Sequence, residues 1–172
     1  MARGVDSAIE RRTLMKKVIV ALSLVMSAVG MMAAPVTKMF IGTWKLNPAK
    51  STFEGVPVMK SQTRIYQDWG GDLVHGRFEG TDTQGTRTVT EYVARYDGRD
   101  YPRAVLRSDT IGTIALKKVS ERQSEFTYKE DGKITITGTR TISGDGKTST
   151  VRYGGKNNQG QPVRAVLVFD RQ

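Results

Sequence analysis

An arginine set among isoleucines is the feature of this sequence that could do chemistry. One predicted strand alternates, and its shared face holds Ile134, Ile136, Gly138, Arg140 and Ile142. A register slip of one residue would expose every isoleucine of this face, so we expect the face to point into the interior. A charge there is costly unless it is paired. The carboxylate of an acidic ligand would satisfy Arg140 through two parallel hydrogen bonds.

A second interpretation places Arg140 at the rim of the fold, in contact with water or with a carboxylate from another strand. The candidate carboxylates are Glu79, Glu91 and Glu125. In either case Gly138 leaves space where a side chain would otherwise fill the interior.

Aromatic side chains on other predicted strands could complete a ligand site around this arginine. Tyr66, Tyr92 and Tyr128 carry hydroxyls that could bind the head group of the same ligand, and each could equally be a core aromatic. Phe78 lies on the inward face of its strand, which it shares with Val74. The predicted ligand-binding residues are Arg140, Tyr92, Tyr128, Phe78 and Trp44.

Composition excludes or disfavours several classes of site. The chain of 172 residues has no cysteine, which excludes thiol catalysis, disulfides and cysteine–zinc sites. His75 is the single histidine, and the alternation around it turns it to the surface beside Arg77 and Glu79. A general base would need a carboxylate within reach inside the fold, which the periodicity does not supply. We therefore predict no catalytic residue, no metal and no cofactor.

Short alternating segments separated by turn residues run through most of the chain. Gly70-Gly71 and Asp131-Gly132 are typical of tight hairpin turns, and no amphipathic helix is evident. Roughly eight to ten strands joined in this way predict an all-β, antiparallel up-and-down meander that closes into a barrel. A β-sandwich of two sheets is the alternative, because strand spacing alone does not separate the two architectures.

The first predicted strand organises the rest of the chain. Gly42 and Trp44 share one face of it, and Trp44 could either floor a ligand cavity or plug one end of the barrel. A Gly-x-Trp on the first strand of a small all-β chain resembles the opening motif of the lipocalins. In that family the tryptophan is covered by an arginine from near the end of the chain, which implies Arg164 or Arg171 here.

A longer stretch extends this resemblance. Residues 42–51 read Gly-Thr-Trp-Lys-Leu-Asn-Pro-Ala-Lys-Ser, and residues 96–102 read Tyr-Asp-Gly-Arg-Asp-Tyr-Pro. Together they are similar to a widespread group of secreted bacterial lipocalin-like (calycin) proteins. The resemblance implies a lipocalin-like barrel in an exported protein, and it implies no particular activity.

The N-terminal segment is typical of a secretory signal peptide. Lys16 and Lys17 precede an uncharged stretch of small and apolar residues. We predict that residues 1–34 are a signal peptide, with an upstream extension if Met15 is the true start, and that residues 35–172 form a single β-barrel domain. The expected location is the periplasm or the cell exterior. An uncleaved membrane anchor is the alternative.

The net charge of +10 is interspersed along the chain. It predicts a solvated surface without nucleic-acid binding, and only weak, salt-sensitive contact with anionic membranes. The favoured function is a monomeric secreted or periplasmic protein that binds a small apolar or amphipathic ligand. Two alternatives stay open: a lipid isomerase or cyclase type of enzyme on the same barrel, and a filled barrel whose surface meets an envelope component.

Overall fold

Antiparallel strands make up nearly all of the described chain. The structure is a computed structural model, and it describes residues 38–106, 112–157 and 159–172. The strands are β1 (Gly42–Leu46), β2 (Thr52–Glu54), β3 (Met59–Asp68), β4 (Val74–Asp82), β5 (Arg87–Ala94), β6 (Asp97–Val105), β7 (Gly112–Lys118), β8 (Gln123–Glu130), β9 (Lys133–Ile142), β10 (Thr148–Lys156) and β11 (Pro162–Arg171). One turn of 3-10 helix, Pro48–Lys50, joins β1 to β2.

Each strand from β3 onward pairs with the next one along the chain, and β1 closes the ring. β1 pairs antiparallel with both β3 and β11, so that ten of the 11 strands form a closed up-and-down barrel. β2 pairs with β11 beyond the 3-10 helix. The predicted barrel is therefore confirmed, and the sandwich is not the fold.

The described residues belong to one compact unit, Ala33–Gln172. The predicted signal peptide falls outside the described residues, so its extent and its cleavage stay predictions. Within residues 38–106, 112–157 and 159–172, no helix has both the length and the apolar character needed to cross a bilayer.

The turn between β8 and β9 shows how the sequence determines a hairpin. Asp131 and Gly132 have φ angles of 49° and 75°. Positive φ at both central residues is what a two-residue turn of the primed type requires, and Asp-Gly adopts it at low cost. The hairpin predicted from this dipeptide is present.

A β-bulge changes the face presented by the first part of β9. The pairing of β8 with β9 shifts within the hairpin, so that Tyr128 lies opposite Ile136 while the next residue, Lys129, lies opposite Ile134. Ile134 therefore points outward and is 63% exposed, whereas Ile142 is 2% exposed. The expectation that every isoleucine of this strand faces the interior is wrong at Ile134, because a bulge shifts the alternation by one residue.

Trp44 lies inside one end of the barrel and is completely buried. The guanidinium carbon of Arg171 is 4.3 Å from the centre of its ring. Arg171 also donates hydrogen bonds to the carbonyl oxygens of Met39, Ile41 and Gly146, at 2.8, 3.0 and 2.9 Å. The arginine that covers the tryptophan is therefore Arg171.

Gly42 completes this arrangement. A Cβ atom at this position would lie 3.0 Å from the Nη1 atom of Arg171, and the backbone has a φ of 125° that side chains with a Cβ rarely adopt. The glycine of the Gly-x-Trp motif therefore makes room for the arginine that stacks on Trp44.

Candidate functional site

One layer of side chains divides the barrel interior into two spaces. The inner cavity has a volume of about 20 Å³ and is lined by Arg64, Tyr66, Phe78, Tyr92, Tyr96, Ile114, Leu116, Ser124, Phe126, Tyr128, Arg140 and Val151. The mouth cup has a volume of about 280 Å³ and is lined by Val56, Gln62, Arg64, Phe78, Thr90, Phe126, Tyr128, Ile136 and Tyr153. The residues common to both spaces form the layer between them: Arg64, Phe78, Phe126 and Tyr128.

Glycines placed opposite large aromatic residues allow this interior to form. Gly76 pairs with Tyr92 between β4 and β5, and Gly138 pairs with Phe126 between β8 and β9. A Cβ atom on Gly76 would lie 2.3 Å from the ring of Tyr92, and one on Gly138 would lie 2.6 Å from the ring of Phe126. Each glycine therefore leaves room for the ring across from it. The space predicted at Gly138 is occupied by Phe126.

Arg140 lies deep in the barrel, and 4% of the residue is exposed. Its Nε atom donates to Ser149 Oγ and its Nη2 atom donates to the carbonyl oxygen of Phe40, both at 3.1 Å. Its guanidinium carbon is 3.8 Å from the centre of the Tyr66 ring and 5.2 Å from that of Trp44. Its Nη1 atom is buried without a hydrogen-bond partner.

Arg64 is the arginine that borders both interior spaces, and 8% of it is exposed. Its Nε atom donates to Gln62 Oε1 at 2.9 Å. Its guanidinium carbon lies over two rings, 4.6 Å from the centre of Phe78 and 4.5 Å from that of Phe169. In the described part of the chain, neither Arg64 nor Arg140 forms an ion pair with a carboxylate.

A third buried arginine differs from these two because it has a counter-ion. Arg103 forms an ion pair with Glu130 and lies over the ring of Tyr128, 4.5 Å from its centre. Its charge is therefore balanced within the protein.

The buried tyrosines stay neutral at physiological pH. Burial raises the pKa of the Tyr92, Tyr96 and Tyr128 hydroxyls above the usual value, and the positive charge of nearby arginines offsets only part of this increase. A neutral hydroxyl donates a hydrogen bond. The interior therefore presents donors and cationic groups, and these three tyrosines supply no negative charge.

The structure brings together most of the residues predicted to bind a ligand. Arg140 and Tyr92 line the inner cavity, and Phe78 and Tyr128 border both spaces. Trp44 lines neither space, since it lies between Arg140 and Arg171.

Two residues of the layer between the spaces, Arg64 and Phe126, are absent from the predicted set. Arg64 lies on a strand whose inward face carries the polar Gln62, so hydrophobic alternation did not reveal that face. The signal available in the sequence was that Arg64 shares the face of Tyr66. Its place opposite Trp44 across the β1–β3 pair depends on the strand register.

His75 lies on the outer face of the barrel, but it is buried there. The ring of Trp69 stacks on it with the centres 4.6 Å apart, and 9% of His75 is exposed. Its Nδ1 atom is 2.9 Å from Gln67 Oε1, and its Nε2 atom is 2.7 Å from Glu91 Oε1. The prediction of an exposed histidine is wrong because Trp69 covers the ring. The His75–Glu91 pair lines neither interior space.

The outer surface offers larger hollows with a different character. Two of them have volumes of about 400 and 380 Å³, and their walls carry charged side chains and no aromatic ring. None of the predicted ligand-binding residues lines either one. Within the described ranges, no group of three or more histidine, cysteine, aspartate or glutamate side chains is placed to hold a metal ion.

Comparison with known proteins supports the fold. No protein-family model matches the sequence, and no curated protein matches it. Among solved structures, the chain is similar to a single-site mutant of the fluorescent protein UnaG, with a TM-score of 0.53 and 17% sequence identity. The match covers 78% of this chain and 96% of that chain. At this identity the likeness establishes a shared lipocalin-like barrel and nothing further.

Proposed function

We propose that the protein binds a small amphipathic molecule in the mouth cup, with the polar or acidic end of the ligand directed at Arg64. The observation that carries the proposal is the chemistry of this arginine. Arg64 borders the cup and is nearly buried, yet it has no ion-pair partner among the described residues. An acidic group would supply that partner through charge-assisted hydrogen bonds.

The rest of the cup suits the apolar part of such a ligand. The rings of Phe78, Phe126, Tyr128 and Tyr153 line it, together with Ile136. Small-molecule sites are mostly apolar, with a few polar groups that set the orientation of the ligand. The cup matches this composition, because Arg64 and Gln62 supply those polar groups.

The size of the cup limits the ligand. Its volume of about 280 Å³ is near the lower end of the range for small-molecule sites, which is about 300–1,000 Å³. The inner cavity, at about 20 Å³, has no room for an alkyl tail or a ring. We therefore expect a compact ligand that lies in the cup and stops at the layer formed by Phe78 and Tyr128.

The proposal assigns different roles to the residues predicted from the sequence. Phe78 and Tyr128 contact the ligand directly. Arg140 and Tyr92 lie one layer deeper, where they line the inner cavity and do not border the cup. Trp44 supports the base of the interior.

We further propose that the protein works outside the cytoplasm, in the periplasm or beyond the cell. The support is the pattern of Lys16 and Lys17 before an uncharged segment. N-terminal sequencing of the protein recovered from the cell envelope or the medium tests this. A new N-terminus between residues 29 and 35 is expected, and an intact N-terminus on a cytoplasmic protein would contradict it.

A filled barrel that acts through its surface is the second candidate. The small volume of the inner cavity favours this candidate, because side chains already fill most of the barrel below the mouth cup. The ligand experiment separates the two functions.

Ligand binding is tested by two fluorescent probes that share one ring system. N-phenyl-1-naphthylamine is neutral, and 8-anilinonaphthalene-1-sulfonate adds an anionic group. We expect wild type to bind both probes. The variant Arg64→Met should bind the anionic probe roughly 10–100-fold more weakly, the loss expected for a hydrogen bond to a charged group, and should keep its affinity for the neutral probe.

Two control variants show whether the loss of affinity for the anionic probe is specific to Arg64. Arg152→Met removes an exposed arginine from the outer face and should leave both affinities unchanged. Arg140→Met tests the deeper arginine, and its effect on the anionic probe should be smaller than that of Arg64→Met. Equal affinities for the anionic probe in wild type and Arg64→Met would remove Arg64 from the site. Failure of wild type to bind either probe would favour the filled barrel.

A further inference from the structure

Arg140 holds a positive charge in the interior, and none of the residues that the structure describes places a negative charge opposite it. Its hydrogen-bond acceptors, Ser149 Oγ and the carbonyl oxygen of Phe40, are both neutral. Its Nη1 atom has no acceptor within hydrogen-bond geometry, and the Tyr96 hydroxyl, the other polar group that interacts with the guanidinium, is neutral as well. Leaving a charge buried and uncompensated is among the most costly arrangements in a protein interior.

The surrounding aromatic rings offset only part of this cost. The Tyr66 ring lies closest to the guanidinium carbon, at 3.8 Å, and a cation over a ring is attracted by the quadrupole of the ring. The hydroxyls of Tyr92 and Tyr96 cannot act as counter-ions, because burial raises the pKa of each and keeps it protonated. Among the described residues, therefore, no group that faces Arg140 carries a negative charge.

A cavity of the right size adjoins this charge. The inner cavity is lined by Arg140, Arg64, Ser124 and the tyrosines Tyr92 and Tyr128, so hydrogen-bond donors and two cationic groups meet around it. Its volume of about 20 Å³ suffices for a single water molecule or an ion of similar size, since about 10–15 Å³ is the minimum for one water. A carboxylate or phosphate with its substituent does not fit.

We propose that the inner cavity binds one monatomic anion, a halide such as chloride, as the counter-ion of Arg140. A water molecule in the same place could accept a hydrogen bond, but it would leave the charge uncompensated. The site is separate from the mouth cup, and the proposal does not depend on a ligand there. When the anion is bound, the charge of Arg140 is compensated, and Arg64 is the arginine whose charge can meet a ligand in the mouth cup.

Anion binding to the folded state predicts a stability that depends on halide concentration. A ligand that binds only the native state lowers the unfolding equilibrium constant in proportion to its concentration once it exceeds the Kd. Each tenfold rise in chloride above the Kd should therefore lower that constant about tenfold. Gluconate, which is too large for the cavity, should have no such effect at the same ionic strength.

The experiment compares urea unfolding of the full chain in sodium chloride and in sodium gluconate. Wild type and the surface control Arg152→Met should both unfold at higher urea in chloride, whereas Arg140→Met should show equal midpoints in the two salts. Retention of the full chloride effect in Arg140→Met would overturn the proposal, because the effect would then be a general salt effect on the protein surface.

A measurement on wild type alone decides the question if Arg140→Met does not fold. Crystals grown in sodium chloride and measured at a long X-ray wavelength, where chloride scatters anomalously, should show an anomalous peak in the inner cavity, within hydrogen-bond distance of Arg140. Absence of that peak overturns the proposal whatever the unfolding curves show, since a water molecule would then occupy the cavity. Failure of the naphthalene probes to bind would leave this result untouched.

Discussion

Arg171 and Trp44 stack against each other with the guanidinium carbon 4.3 Å from the ring centre, and they also lie opposite each other in the β1–β11 pair. The same arginine donates to three backbone carbonyl groups near the start of β1 and after β9. One side chain therefore joins the closing strands of the barrel to the tryptophan that fills this end.

Truncation of this tryptophan should unfold the protein readily. Trp44→Ala removes a completely buried aromatic ring, and we expect a loss of roughly 3–5 kcal/mol in the free energy of unfolding. Urea denaturation measures it. Trp69→Ala is the matched control, because that ring is 57% exposed and its loss should cost less than about 1 kcal/mol. Equal losses would mean that β1 does not organise the fold.

The bulge in β9 predicts opposite outcomes for two isoleucines of one strand. Ile142→Ala removes a buried side chain and should cost about 2–5 kcal/mol. Ile134→Ala removes a side chain that is 63% exposed and should change stability by less than about 0.5 kcal/mol. Denaturation midpoints of the two variants give the comparison. A large loss at Ile134 would mean that β8 and β9 pair without the bulge.

The close approach at Gly138 predicts that even a methyl group is too large there. The Cβ atom of Gly138→Ala would lie 2.4 Å from the carbonyl oxygen of Arg152, and the required shift should cost roughly 1–3 kcal/mol. Gly144→Ala is the control, since the nearest atom to its Cβ, from Arg122, is 3.8 Å away. If the two variants unfold at the same urea concentration, β9 and β10 are farther apart than described.

The buried tyrosines predict a decline of stability at alkaline pH. Their folded pKa values are raised above the usual 10.0, so the unfolded chain releases these protons first. The stabilisation is fully present below about pH 10 and is lost as the pH rises above it. The loss should reach about 1.4 kcal/mol per pH unit for each tyrosine.

Unfolding by urea at a series of alkaline pH values measures that slope. Tyr92→Phe removes one of the titrating hydroxyls and should make the decline less steep than in wild type. A slope that Tyr92→Phe leaves unchanged would show that this hydroxyl ionises as easily in the folded protein as in the unfolded chain.

The interspersed positive charge predicts weak, salt-sensitive attachment to anionic membranes. Co-sedimentation with vesicles of acidic phospholipid should be detectable at low salt and should disappear near physiological salt, where the screening length is about 8 Å. Binding that persists at high salt would require an apolar contact with the bilayer in addition to charge.

Hydrophobic alternation and turn dipeptides predicted the antiparallel strands and their hairpins, and the resemblance of the first strand to the lipocalin motif favoured a barrel over a sandwich. The face of β1 that carries Gly42 and Trp44 points into the barrel, where Trp44 is buried. Asp131-Gly132 predicted a hairpin turn, which is present. These signals are local, because each depends only on neighbouring residues in the chain.

The parts that sequence reasoning missed depend on contacts between strands. The outward turn of Ile134 follows from a shift in pairing with β8, and nothing in the alternation of β9 reveals that shift. The burial of His75 depends on a ring from outside its own strand. Arg64 shares its inward face with the polar Gln62, so the hydrophobic pattern does not show which face of β3 points into the barrel. The pairing of β3 with β1 sets that orientation.

The closure of the barrel also constrains when the chain can fold. The hydrogen bond from Arg171 to the carbonyl oxygen of Ile41 spans 130 positions of sequence, so β1 cannot find its second partner until the ribosome has released β11. Until then a nascent chain has unpaired edges on both β1 and β10. Long-range pairing of this kind gives a high contact order and slow folding, and open strand edges favour aggregation. The incomplete chain is therefore expected to aggregate through the edges of β1 and β10, which pair with β11 in the finished barrel.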